Sequence, residues 1–464
     1  MTSLSYKYTT IYALLQRFKF AASFAFRPKT AYNKQIYQSK SIPIKQKGDI
    51  MKVLIIGGGA SGMMAALSAR KEGAEVCILE RQARVGRKLL ATGNGRCNLS
   101  NTKLTMKNYH GQNAVFAQTA LQTFDTKKTL TFFQSLGLIT TVEPSGKVYP
   151  LSDQAGSVVD VLRLALEEMG VEVRTSFEVT ALKRGKKGGF QVLSKDETLH
   201  ADAVIICCGG MAGAKLGGTQ SGYDLLKSQG HTITRLFPAL VQVKTDTTFV
   251  KALKGVRADG SVLVERNGKI LAENAGEIQF TDFGISGPTV FEISRIISTG
   301  KAPLTVHLNL LRHLSHEEVV SLLQSRKKAM PHQAMENFLT GILHNRLGRT
   351  LLRYAGFGFT EPISSLKPSD IKRIAHAIQD FSLSVVGTMG FDAAQVTAGG
   401  IRTEEFNPHT MESLLMPGLF AAGEVLDIDG DCGGYNPQWA WASGYLAGKA
   451  AARKVPASPK KNKK

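Results

Sequence analysis

Gly57, Gly59 and Gly62 form a G-x-G-x-x-G between the apolar run Lys52 to Ile56 and a helix-forming stretch, and a second apolar run ends on Glu80. That spacing suits a phosphate. A buried strand delivers the chain to a tight glycine turn, the backbone can approach a pyrophosphate closely, and the following helix points its N-terminal amides at the negative charge. Glu80 stands where a carboxylate would hold a ribose hydroxyl, although a solvated residue at a strand end is the simpler role. Proton chemistry has fewer candidates. Cys97 lies between Arg96 and Asn98 in a glycine-rich loop, where cationic surroundings can adjust a thiol's pKa; it is equally suited to be a small packed residue. Cys432 and Tyr435 in "DGDCGGYN" are second candidates or serve only to shape a turn. No C-x-x-C pair marks a metal site, and no metal is expected.

The elements that must position these groups can be read from periodicity. From Met51 to about Pro238 the order is strand, helix, strand, glycine-rich loop, a helical region and a hairpin-like "VEPSGKVYP", then a helix over Val158 to Met169 and the strand "VEVRTS". The apolar "HADAVIICCGG" stops at Gly209 and Gly210, which fits either a second backbone approach to a cofactor or a plain strand-to-helix turn. Short alternating segments follow from Leu240 to Leu310, with Asn267-Gly268 marking a hairpin. Ser315 and Glu318 form a capping box before "VVSLLQSRKKAM", and "QAMENFLTGILHNRLGRTLLRYAG" and "SDIKRIAHAIQDF" read as further helices. The apolar strand "GLFAAGEVLD" then reaches Glu424, and the helix "QWAWASGYLAGKAAARK" closes the chain.

The expected fold is α/β, a Rossmann-like domain interrupted by a small antiparallel sheet or β-barrel and by a helical insertion. Its divisions are a basic extension over 1–50, a first cofactor-domain part over 51–239, a barrel-like domain over 240–312, a helical insertion over 313–382, a second cofactor-domain part over 383–453, and a basic tail over 454–464. With 464 residues, 43% of them hydrophobic, the chain can bury a large core. No apolar run approaches the roughly 20 residues of a membrane span. Arg17 and Lys19 interrupt the most apolar N-terminal stretch. The cysteine usage suits a reducing cytosol. The net charge of +21 is concentrated at the ends: residues 1–50 carry nine Lys or Arg against the single acid Asp49, a pattern expected of a disordered arm, a transit peptide or an extension ahead of a start at Met51.

Five blocks, "GGGASGMMAA", "GRKLLATGNGRCNLSN", "FTDFGISGPTVFEIS", "TAGGI" and "GLFAAGEVLDIDGDCGGYNPQWAWASGYLAG", resemble the BaiN/RdsA family of flavoproteins, also described as aminoacetone oxidase-like, over about Met51 to Ala452. The resemblance implies FAD as cofactor. By position, Gly57, Gly59, Gly62 and Glu80 would contact its adenosine half, Gly423 and Glu424 its ribityl-phosphate half, and Lys88, Asn94, Arg96, Cys97 and Asn98 the loop near the flavin ring. Ala60, Ser61, Arg81, Gly95, Gly209, Gly210, Gly434, Tyr435 and Asn436 complete the implied cofactor set. Where the family commonly shows serine and proline after the paired glycines, this chain has Gly213 and Ala214. Substrate preference there transfers less directly.

A flavin can pass hydride from a nicotinamide to an acceptor, so the protein must hold the ring, exclude water and supply one proton. No second G-x-G-x-x-G is present, so NAD(P)H is expected as a transient reductant. "GISGP", Gly284 to Pro288, either lines the substrate side or is a turn leaving the barrel. Family members are associated with reducing carbon–carbon double bonds in ribosomal RNA uridine or in bile-acid-like enones. The expectation favours uridine in large-subunit ribosomal RNA, because Arg326, Lys327, Lys328, Arg346, Arg349, Arg353, Lys372 and Arg373 could meet phosphates. A small-molecule enone reductase, an amine oxidase, and a non-catalytic FAD-stabilised binding protein are the alternatives.

Overall fold

A computed structural model describes residues 50–186, 188–300 and 303–453. The expected N-terminal extension (except Ile50) and the basic tail lie outside the described residues.

The central layer is a five-stranded parallel sheet in the order Leu419–Ala421, Ala203–Ile206, Lys52–Ile56, Glu75–Leu79, Glu172–Arg174. Its middle strands are covered on both faces, which is why Val53, Leu54, Ile55 and Ile56 run without polar alternation. A strand from near the C-terminus thus pairs beside strands from the first half of the chain. Helix packing repeats the convergence: Tyr435–Ala451 lies against Ala60–Lys71. Two glycines permit the approach, since a Cβ on Gly444 would stand 2.4 Å from the Ser61 carbonyl oxygen and one on Gly448 2.1 Å from that of Ala65.

The expected strand over "HADAVIICCGG" is two strands. Thr198–Ala201 belongs to a small antiparallel sheet with Phe190–Leu193, and Ala203–Ile206 enters the parallel sheet. "VEPSGKVYP" lies in a hairpin, Thr140–Val142 against Lys147–Pro150.

The region from Val243 builds a closed six-stranded barrel in the order Val243–Thr245, Gly284–Ser286, Lys269–Phe280, Arg257–Arg266, Thr305–Asn309, Phe381–Thr388. Its long hairpin turns at Asn267 and Gly268, both left-handed at φ 51° and 78°, matching the twist of the flanking strands. The last strand corrects the boundary expected at residue 382/383. Phe381–Thr388 pairs with both Thr305–Asn309 and Val243–Thr245, so the chain returns from the helices into the barrel before it rejoins the parallel sheet.

The helices His316–Ala329, Asn345–Tyr354 and Pro368–Gln379 share one core with the barrel, in which Val319, Leu323, Leu351 and Ile374 join Val264, Phe280 and Phe381. The Ser315–Glu318 capping box starts the first of them. The long helix expected from Gln333 is cut short: Met335–Asn337 is a single 3-10 turn and Gly341 is left-handed at φ 82°, so helix begins only at Asn345.

Candidate functional site

One cleft opens at the carboxyl ends of the parallel strands, where open α/β sheets bind ligands. It encloses about 1280 Å³ including its open mouth. Its walls include the turn Gly57–Ser61, the segment Glu80–Leu89, the paired glycines Gly209–Gly210, Gln395 and Val396, and a C-terminal wall of Glu424, Asn436, Pro437 and Trp439. Of the cofactor set read from sequence, Gly57, Gly59, Ala60, Ser61, Glu80, Arg81, Lys88, Gly209, Gly210, Glu424 and Asn436 line it.

The glycines divide by the reason each is needed. Gly57 has φ 107°, and a Cβ there would meet the Cys207 carbonyl oxygen at 2.4 Å; a Cβ on Gly62 would stand 1.9 Å from the Gly57 carbonyl oxygen. These two are required by strand–helix packing. Gly59 differs: its backbone is extended at φ −80° and a Cβ would meet no protein atom within 4 Å, because it faces the open cleft. The turn therefore presents bare backbone and helix N-terminal amides to empty space, a cradle suited to pyrophosphate. Glu80 is fixed beside it by amide donors, Gly58 N–H to Oε2 at 2.7 Å and Gln82 N–H to Oε1 at 2.7 Å, which leaves lone pairs free for a ribose hydroxyl. Arg81 donates to the Gly217 carbonyl at 3.4 Å on the same rim.

Lys88 and Glu424 meet at 2.7 Å, so a salt bridge joins the N-terminal and C-terminal walls. Glu424 Oε1 also accepts the Thr397 N–H at 2.8 Å. Gly210 lies against this pair, since a Cβ would stand 2.5 Å from Thr397 Oγ1 and 2.7 Å from Glu424 Oε1. Gly423, left-handed at φ 80°, is locked behind the wall by its N–H to Ser443 Oγ and by Trp439 Nε1 to its carbonyl.

The loop "GNGRCN" does not line the cleft; it packs against "CGGYN". Asn94, Gly95 and Cys97 are all left-handed, and Cys97 donates its N–H to the Thr92 carbonyl at 2.9 Å. Its thiol is fully enclosed, and burial pushes it up to about 11. Arg96 turns outward, paired with Glu143 and Asp153 and stacked 3.9 Å over the Tyr149 ring. Asn98 Oδ1 is buried with no partner among the described residues, and a Cβ on Gly434 would stand 2.7 Å from it. Asn101 Nδ2 donates to the Gly433 carbonyl at 3.0 Å and Trp441 Nε1 to that of Leu99 at 3.0 Å, closing the contact. An open backbone cradle, an amide-held carboxylate and an unpartnered buried amide oxygen together suit a dinucleotide with a polar ring system.

Cys432 and Tyr435 sit at the seam with the barrel. Burial raises both, the thiol to about 11. "GISGP" is a barrel strand, Gly284–Ser286, followed by a left-handed Gly287 and by Pro288, the first residue of the helix Pro288–Thr299. That helix carries Glu292, which the reading of the sequence passed over. Its Oε1 accepts the Cys432 N–H at 3.1 Å, and burial, reinforced by Asp431, pushes the carboxyl up to about 7. The available signal was an acid set beside Val290, Ile293 and Ile297, the buried apolar face of that helix.

The basic residues offered for phosphate contacts are mostly committed within the fold. Arg326 caps the Phe338 and Thr340 carbonyls and Lys327 that of Leu366. Arg346 donates to the Lys254 carbonyl, Arg349 pairs with Glu336, and Arg373 pairs with Asp370 while lying over Phe357. Lys328, Arg353 and Lys372 remain exposed. Among the described residues no cluster of His, Cys, Asp or Glu is arranged to hold a metal, and no helix is long and apolar enough to cross a membrane.

Comparison with known proteins places this geometry. A family profile described as the HI0933-like protein Rossmann domain matches residues 51–450. A 3-dehydro-bile acid delta(4,6)-reductase from Clostridium scindens is 44% identical over 87% of this chain and 99% of its own length. A ribosomal RNA dihydrouridine synthase from Escherichia coli is 30% identical over 84% of this chain and 96% of its own. Among solved structures, the 3-ketosteroid-delta4-(5alpha)-dehydrogenase of Rhodococcus jostii RHA1 aligns at a TM-score of 0.45 and 14% identity over 89% of this chain and 99% of that one, a distant likeness. The chain belongs to the HI0933-like Rossmann family and is an FAD-dependent oxidoreductase.

Proposed function

We propose that the protein reduces a carbon–carbon double bond conjugated to a carbonyl in a small apolar enone, with NAD(P)H as the electron donor. The observation that carries this reading is the 44% identity, end to end, to a reductase of a bile-acid 4,6-diene. It revises the preference for ribosomal RNA drawn from the sequence. Five of the eight basic residues behind that preference are tied to carbonyls or carboxylates of their own fold. When the nine bases and one acid of residues 1–50 and the five lysines of 454–464 are set aside, the net charge of +21 falls to +8. A phosphate-binding face needs free cations.

Bound FAD supplies the hydride relay between nicotinamide and substrate. The chain's own residues do the rest. The Gly57–Gly62 turn and Glu80 would hold the adenosine and pyrophosphate, Lys88 and Glu424 would fix the opposite wall, and the contact of residues 97–101 with 433–441 would orient the ring and keep water from it. A carbonyl-conjugated alkene accepts hydride at its β-carbon and a proton at its α-carbon, so one protonated side chain must stand on the substrate side.

Ribosomal uridine is the second reading, favoured by two dihydrouridine synthases of 28% and 30% identity and by the three exposed cations. Uracil presents the same conjugated C5=C6 bond. Anaerobic mixing decides between them: NAD(P)H is expected to bleach the flavin, and a 3-oxo-4,6-diene steroid to restore its colour with loss of the diene absorbance. Failure of the steroid to reoxidise the flavin, with loss of ribosomal dihydrouridine in a deletion strain, would overturn the enone assignment. A yellow protein that NAD(P)H cannot bleach would remove both readings.

A further inference from the structure

The helix Pro288–Thr299 buries Val290, Ile293 and Ile297 in the barrel core, while Phe291 packs with Val396, Ala398 and Cys432 at the seam facing the parallel sheet. Glu292 projects into that seam. Among the described residues one hydrogen bond reaches its carboxyl, the Cys432 N–H at 3.1 Å, and no ion pair does. The neighbouring acids are all engaged: Asp431 by His110 at 2.6 Å and Asn108 at 3.0 Å, Asp429 by both ends of the Arg295 guanidinium, and Asp427 by the Gln112 N–H and the Thr234 side chain. Glu292 is the acid left with an oxygen to spare. The loop that it contacts runs directly into Asn436 and Pro437, and Val396 beside Phe291 belongs to the same wall of the cleft.

We infer that Glu292 is the acid that delivers the proton to the substrate's α-carbon, an inference that rests on the reductase reading above. Bound FAD would supply the hydride, drawn from NAD(P)H, that makes the C–H bond at the β-carbon. The displaced π electrons take the Glu292 proton at the α-carbon, leaving a saturated bond, NAD(P)+ and a Glu292 carboxylate. A solvent proton then restores the acid, and the Asp431–His110 pair, with side chains 25% and 33% exposed, provides the route. The charged and titratable groups around Glu292 are Asp431, Cys432 and Tyr435 of the C-terminal loop and helix, Lys147 and His110 of two short strands, and Arg295 on its own helix, which is committed to Asp429. Burial and Asp431 outweigh Lys147 and His110, so the carboxyl keeps its proton up to about pH 7.

Glu292→Gln and Glu292→Asp holoenzymes test this with the enone that the wild type reduces. Flavin bleaching by NAD(P)H is expected within about twofold of wild type, while reoxidation by the enone slows by about 100-fold in the Gln variant and recovers partly in the Asp variant. The wild-type reoxidation rate should fall above about pH 7, and that dependence should vanish in the Gln variant. A second arm needs no turnover. Because the folded carboxyl titrates above its ordinary 4.5, its contribution to stability is present below that pH and lost as pH rises through about 7, so the Gln variant should gain in melting temperature over wild type between pH 5 and 8. Wild-type reoxidation by the Gln variant, or an equal slowing of both half-reactions, overturns the assignment. If no enone reoxidises the wild type, the reductase reading fails by itself, and a melting difference that is flat in pH then overturns the buried acid as well.

Discussion

Replacing Gly59 with alanine separates what the fold needs from what the cofactor needs. The new Cβ would meet nothing within 4 Å, and the residue's φ of −80° is open to any side chain. The apoprotein should therefore lose only the difference between glycine and alanine at a helix N-cap, about 0.5–1 kcal/mol. FAD should suffer more, because a methyl group stands where the pyrophosphate has to approach backbone. An overpacking penalty of about 1–3 kcal/mol corresponds to roughly 5- to 150-fold weaker binding. Gly62→Ala is the control of opposite kind. Its Cβ would stand 1.9 Å from the Gly57 carbonyl oxygen, where ordinary contact begins at 3.4 Å, so helix and strand must part by about 1.5 Å. That variant should lose about 3 kcal/mol or more in the absence of any ligand. Chemical denaturation of the apoproteins and fluorescence titration with FAD measure both quantities. FAD binding by Gly59→Ala as tight as wild type, or an apoprotein as unstable as Gly62→Ala, would contradict an open backbone cradle at Gly59.

Two further outcomes follow from the same geometry. The Lys88–Glu424 bridge spans partly exposed side chains, 30% and 18%, so a double-mutant cycle with Lys88→Met and Glu424→Gln should give a coupling of about 1 kcal/mol in FAD affinity; strict additivity contradicts a clamp. Burial raises every cysteine of the chain from its ordinary 9.0, Cys97 and Cys432 to about 11, Cys77 and Cys208 to about 12, and Cys207 further. Above pH 9 the folded state then binds more protons than the unfolded one, so stability present below that pH should fall as pH rises toward 11, by at most about 1.4 kcal/mol per thiol per pH unit. A denaturation midpoint that does not move between pH 9 and 10.5 would contradict enclosed thiols.

The parts of this protein that were legible in its sequence are those where local chemistry decides the outcome. Gly57 and Gly62 have no alternative because backbone carbonyls occupy the space of a side chain, Asn267-Gly268 needs two left-handed residues, and Ser315 with Glu318 satisfies the amides of its own helix. What escaped is decided at a distance. The Phe381–Thr388 strand reads like its neighbours, and only closure of the barrel against Thr305–Asn309 assigns it there. The stretch before Asn345 has helical composition, yet its apolar residues Met335, Phe338 and Leu339 are buried by turns packed on the barrel. The eight basic residues are indistinguishable as letters, and their engagement appears only when the carbonyls of residues 338, 340 and 366 come into reach. Glu292 gained its setting in the same way, from a loop 140 positions away in the chain.

Hydrogen exchange of the apoprotein with and without FAD reads whether one cofactor spans both ends of the chain. Protection is expected to rise together in Gly57–Gly62, in Glu80–Gln82 and in the C-terminal wall around Glu424 and Asn436, because one cofactor would bridge segments that meet only in the folded chain. Protection confined to the N-terminal turn, with the wall around Glu424 unchanged, would contradict it.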